Sequence, residues 1–72
     1  MTDERFIGVD GQTLRRLRRE RALSQQDLVR ITGVAQATLS DLERGKRGAR
    51  ASTLRKLAEA LGVEPKELMK DE

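Results

Sequence analysis

Gln36, Ala37, Ser40, Asp41 and Arg44 fall at i, i+1, i+4, i+5 and i+8, which on a helix is one continuous face. An amide, a methyl, a hydroxyl, a carboxylate and a guanidinium in that array suit recognition rather than bond making. The amide offers donors and an acceptor side by side, and the methyl only apolar contact. Catalytic chemistry has little to work with. The chain holds no His and no Cys, so it has neither an imidazole base nor a thiolate. No glycine-rich loop precedes a Lys-Ser/Thr pair. We therefore expect no enzyme, no cofactor, no metal site and no small-molecule substrate.

The elements that must position this face are written in Ser24 to Lys46, SQQDLVRITGVAQATLSDLERGK. Leu28, Ile31 and Val34 are spaced to face inward. Gly33 falls where the chain must break, in a left-handed conformation that is easy only without a Cβ. Leu39 and Leu42, with Ala35, restart the apolar stripe opposite the polar face. Two short helices joined by one tight turn form a helix-turn-helix, a unit that lays its second helix in the DNA major groove.

The remaining segments read as support. Helix 1 starts at Asp10 or Gly11, carries Leu14 and Leu17 inward and ends near Arg21–Ala22. Ser24 caps helix 2, with Asp27 at the positive end of its dipole. Helix 3 runs from about Gln36 to Arg44 and stops at Gly45. After a loop with two glycines, Ser52 caps helix 4, whose Leu54, Leu57, Ala58 and Leu61 are core and which Gly62 closes. Glu64-Pro65 opens a short helix 5 with Leu68 and Met69. The expectation is an all-α, compact five-helix domain over 10–72, preceded by an arm, 1–9, partly packed through Phe6, Ile7 and Val9. A domain of 72 residues buries only about 60% of its unfolded chain's surface. Without cysteines, its stability rests on helix packing.

Net charge is +3, unevenly spread. Arg15, Arg16, Arg18, Arg19 and Arg21 crowd helix 1; Arg44, Lys46, Arg47, Arg50, Arg55 and Lys56 follow with no acid between Glu43 and Glu59. The acids gather at the ends: Asp3, Glu4, Glu64, Glu67, Asp71 and Glu72. One electropositive face fits a phosphate backbone, although a solvated helix surface would use the same residues. No apolar run approaches the roughly 20 residues of a membrane span, and the N-terminus is not a signal peptide. We expect no membrane partner and a cytoplasmic, nucleoid-associated protein of bacterial or phage type.

The chain resembles the small helix-turn-helix domains of lambdoid phage repressors and Cro, the XRE family, over about residues 12–70. The carriers are Leu14-Arg-Arg-Leu-Arg, Leu23-Ser-Gln, Gly33-Val34, Leu39-Ser-Asp-Leu-Glu-Arg-Gly45 and Leu54-Arg-Lys-Leu-Ala-Glu-Ala-Leu-Gly-Val63. The resemblance implies a lambda-repressor-like domain in which Gln36 reads a base, with Ala37, Ser40 and Asp41 beside it. It implies that Gln25 contacts phosphate and braces Gln36. Ser24, Arg44, Lys46 and Arg50 fall to phosphates, Arg15 and Arg19 more weakly. Arg18 and Glu43 form a partly buried ion pair between helices 1 and 3. Three positions depart from the pattern. Ala35 replaces a capping Ser or Thr, Val29 a small residue, and Ala22 a frequent Gly.

These readings imply a sequence-specific transcriptional regulator, a repressor, that binds double-stranded DNA as a homodimer with the helix 4–5 junction as its dimer patch. The alternative is a protein-interaction module of the same fold, of antitoxin or coactivator type. Antitoxins usually carry an added tail, and the last residue here is Glu72.

Overall fold

A computed structural model describes residues 6–71. In chain order the elements are β1 (Phe6–Ile7), α1 (Gly11–Glu20), α2 (Gln25–Thr32), α3 (Gln36–Glu43), β2 (Ala49–Arg50), α4 (Ala51–Leu61) and a 3-10 helix (Pro65–Leu68). The architecture is mostly helical, with four α-helices rather than the five expected. The fifth is a single 3-10 turn because the backbone beyond it is claimed elsewhere. Met69 is extended and bridges Val9. Asp10 N–H donates to the Leu68 carbonyl at 2.8 Å, and Lys70 N–H to the Gly8 carbonyl at 3.0 Å. Of the residues expected to pack the arm, Val9 and Ile7 lie on the core whereas Phe6 is exposed. β1 pairs antiparallel with β2, Phe6 opposite Arg50 and Ile7 opposite Ala49. The part of the expected arm before Phe6 lies outside the described residues.

Local sequence sets the helix ends. Asp10 caps α1 by accepting from Thr13 N–H at 3.1 Å. Ser24 caps α2 in a reciprocal box: its hydroxyl accepts from Asp27 N–H at 3.0 Å, and the Asp27 carboxylate accepts from Ser24 N–H at 2.9 Å. Ser52 does not cap α4. The ladder holds Ala49–Arg50 extended, so the helix starts directly after it at Ala51, with Arg50 at the cap and no side-chain cap bond. α1 ends through Ala22, whose φ is 56°. Leu23 N–H reaches the Arg18 carbonyl and Ala22 N–H the Arg19 carbonyl, the double bond of a left-handed helix stop. At the end of α4, Gly62 fills that role at φ 72°. At Ala22 a Cβ must be accommodated.

The core is a leucine cluster. Leu14, Leu28, Leu39, Leu42, Leu57, Leu61 and Leu68 are fully buried, with Val9, Leu17, Val34, Leu54 and Ala58 around them. Each buried leucine contributes about 1.5–3 kcal/mol. Ile31 is not among them; it is 57% exposed. The inner side of α2 is Gln25, Leu28, Val29 and Thr32, the i, i+3, i+4, i+7 set, and Val29 packs against the core. Ala35, expected to face inward, is exposed. α3 packs on α1 and α2, and α2 on α4. The start of α1 comes so close to the end of α3 that a Cβ on Gly11 would lie 2.3 Å from the Leu42 carbonyl oxygen.

Ala22→Gly relieves the left-handed strain of a Cβ-bearing residue, and we expect it to raise unfolding free energy by about 0.5–1 kcal/mol in urea titrations. Backbone N–H bonds, from Thr13 to Asp10 and from Ser24 to Asp27, hold both carboxyls below the ordinary aspartate value of 3.8. Their contribution is therefore complete above that value and is lost as pH falls through the depressed folded values. Thermal midpoints should fall progressively below about pH 4, and an Asp10→Asn, Asp27→Asn double variant should lose part of that dependence.

Candidate nucleic-acid interface

The turn before α3 is closed by local chemistry. Gly33 sits at φ 76°, and its N–H bonds the Val29 carbonyl at 2.7 Å. Thr32 Oγ1 donates to the Leu28 carbonyl at 2.7 Å and accepts from Val34 N–H at 3.1 Å, which satisfies the turn without a longer loop. α3 then begins at Gln36, and Ala35 at its cap makes no side-chain cap bond, as an alanine dictates.

A polar chain runs from α1 to the start of α3. Arg18 donates from Nε to Glu43 Oε2 at 2.7 Å and from Nη2 to Glu43 Oε1 at 3.0 Å. Its Nη1 donates to the Leu23 carbonyl at 2.8 Å. The pair is nearly dry, with side-chain exposures of 11% and 4%, and the bonds to Glu43 raise the Arg18 pKa. Gln25 Nε2 donates to Glu43 Oε1 at 3.2 Å, and Gln36 Nε2 donates to Gln25 Oε1 at 2.8 Å. Each link fixes the next. Guanidinium only donates and carboxylate only accepts, so Gln25 must turn its nitrogen to Glu43 and its oxygen outward. Gln36 must then turn its nitrogen to Gln25. That orients an exposed amide whose second N–H and whose carbonyl oxygen remain to meet a ligand.

The other expected site residues divide into two flanks of α3. Gln36 and Ala37 are exposed at its start. Ser40 and Arg44 line a concavity of about 310 Å³ together with Arg15, Arg18, Gln25 and Glu43, on the α1–α2 side. Asp41 lies on the other side, in a depression shared with Phe6, Arg47 and Gly48. Lys46 and Arg50 are exposed. Lys46 N–H bonds the Asp41 carbonyl, so its backbone follows the end of α3. The Ser24 hydroxyl is engaged by Asp27 N–H.

Phe6 and Thr38, which no sequence pattern tied to the site, join Arg47 on the Asp41 side of α3. The Arg47 guanidinium carbon stands 5.7 Å from the centre of the Phe6 ring, that of Arg50 5.8 Å, and Thr38 lines the same surface. The available signal was a single aromatic residue in a chain with no Trp or Tyr. Its partners, about forty residues away, were not legible. Among the described residues no group of three or more His, Cys, Asp or Glu is placed to hold a metal ion, and no described helix is long and apolar enough to cross a membrane.

Residues 14–68 match the family model described as helix-turn-helix. The chain is 46% identical over 59 residues to an uncharacterized HTH-type transcriptional regulator, y4dJ, of Sinorhizobium fredii, covering 82% of this chain and 77% of that one. It is similar in structure to the restriction-modification controller protein C.AhdI from Aeromonas hydrophila, with a TM-score of 0.76 and 41% identity, over 82% of this chain and 89% of that one. It is also similar to the master regulator for biofilm formation SinR, of Bacillus subtilis, solved in complex with DNA. That match has a TM-score of 0.74 and 30% identity, over 78% of this chain and 90% of that one.

The buried pair carries a stability prediction. Glu43→Gln leaves the Arg18 guanidinium facing an amide that cannot accept at both atoms, and should cost about 3 kcal/mol in unfolding free energy, read by urea titration. A loss within about 0.5 kcal/mol, the range of an ordinary surface substitution, would show that the pair does not hold α3.

Proposed function

The chain belongs to the helix-turn-helix family matched over residues 14–68, and on that premise we propose that it is a sequence-specific, double-stranded DNA-binding transcriptional regulator acting as a repressor. The observation that carries this reading is the oriented amide of Gln36. Its position at the exposed start of α3, held through Gln25 by a buried ion pair, suits a base reader. The Gln36 oxygen accepts from adenine N6 while the remaining N–H donates to N7. Ala37 meets a thymine methyl, Asp41 accepts from cytosine N4, and Ser40 contacts either a base or its neighbour. Ser24, Gln25, Arg44, Lys46 and Arg50 hold phosphates, which supply most of the affinity and make it salt-dependent. The similarity to transcriptional regulators and to a protein solved on DNA supports the same assignment. One domain spans few base pairs, so the protein binds as a homodimer on half-sites about 34 Å apart, with the junction of α4 and the 3-10 helix as the contact.

Selection from random duplexes tests this. Wild type should return one site with two inverted halves, bound with a steep salt dependence. Gln36→Ala should lose about 1–3 kcal/mol of discrimination at one base pair per half, with the salt slope unchanged. Equal binding of the selected site by both proteins would overturn the reader assignment.

A further inference from the structure

The family match begins at Leu14, so β1 lies outside it, yet β1 borders the proposed reading helix. Phe6 is the chain's single aromatic residue, is 56% exposed, and has two guanidinium groups beside its ring. Ladder register explains the exposure. Phe6 opposes Arg50 and Ile7 opposes Ala49. Alternation along the strand sends Ile7 and the buried Ala49 toward the core and Phe6 and Arg50 outward. Gly48 keeps the strand close, because a Cβ there would meet the Ile7 carbonyl oxygen at 2.6 Å. The bonds of Asp10 and Lys70 fix the strand's far end. The backbone that carries the ring is therefore held in place, and Arg47 and Arg50 lie within cation–π reach of the ring.

The surface so built faces the same helix as the Arg15–Arg44 concavity but from the opposite flank, beside Thr38 and Asp41. A helix in the major groove is bounded by phosphates of both strands, across a groove about 12 Å wide. Long arginines lose rotamer freedom when they bind, and a ring that restrains them beforehand lowers that loss. We propose that Phe6 is a positioning residue that holds Arg47 and Arg50 for the phosphates on the β1 side of α3, an inference that rests on the DNA-binding reading above.

The test uses the full chain and the duplex selected by wild type, with affinity measured by fluorescence anisotropy over a salt series. Phe6→Leu keeps an apolar side chain without the ring's negative face. It should bind about three- to tenfold more weakly, with the log affinity against log salt slope little changed because no cation is removed, whereas Arg47→Ala should make that slope shallower by about 1. Phe6→Tyr should match wild type. Arg47→Ala should weaken binding similarly, and the Phe6→Leu, Arg47→Ala pair should fall short of additivity. Thermal midpoints of the Phe6 variants should stay near wild type. Wild-type affinity in Phe6→Leu, or wild-type affinity and slope in Arg47→Ala, would overturn the positioning role. So would equal losses in Phe6→Leu and Phe6→Tyr accompanied by lowered midpoints, which would make Phe6 a packing residue. Absence of duplex binding by wild type itself would overturn the DNA-binding reading and this inference with it.

Discussion

Arg18 and Glu43 are a buried ion pair, and a buried guanidinium tolerates few surroundings. It has five N–H donors and no acceptor, and stranding it away from water is costly unless oxygen atoms meet it. Two come from Glu43 at the end of α3 and one from the Leu23 carbonyl between α1 and α2. A single side chain of α1 thereby fixes the last turn of α3 and the entry to α2. Because Glu43 also receives Gln25, which receives Gln36, the same charge sets the direction of an amide at the opposite end of α3.

The leucine core has to leave this arrangement room. Leu39 and Leu42 pull one side of α3 inward. The carbonyls at its end press on Gly11, and Gly33 sets its start. The helix is thus held at both ends and along one side, and its polar face is what the core has no use for. β1 adds a second boundary. Its ladder with β2 places the Phe6 ring beside Arg47 and Arg50 on that flank.

Much of the helical scaffold was legible because its signals are local. The cap at Ser24, the start of α1 at Asp10 or Gly11, the closing glycines at 33 and 62 and the absence of a cap bond at Ala35 follow from residues a few positions apart. Where local signals competed with long-range pairing, they lost. Ser52 does not cap α4 because the β ladder ends at Arg50, and helix 5 shrinks to one turn because Val9 takes the backbone of Met69. Ile31 failed for a different reason. In an eight-residue helix two overlapping apolar stripes are possible, and packing on α3 and α4 selected Val29. At the site, the family resemblance singled out Gln36, Gln25, Arg18 and Glu43, while Phe6, Thr38 and Arg47 carried no pattern that tied them to α3.

The sequence by itself determined the helix-turn-helix, its turn at Gly33 and the polar face of α3, since helical periodicity and capping depend on neighbours within about four residues. Tertiary structure decided how that face is divided, with Ser40 and Arg44 opening toward α1 and α2 and Asp41 toward β1. It also decided the pairing of Phe6 with Arg50. The pairing of two-residue strands separated by most of the chain is too weakly marked locally to be read, and in the folded chain the two segments meet where Ile7 and Ala49 pack on the leucine core.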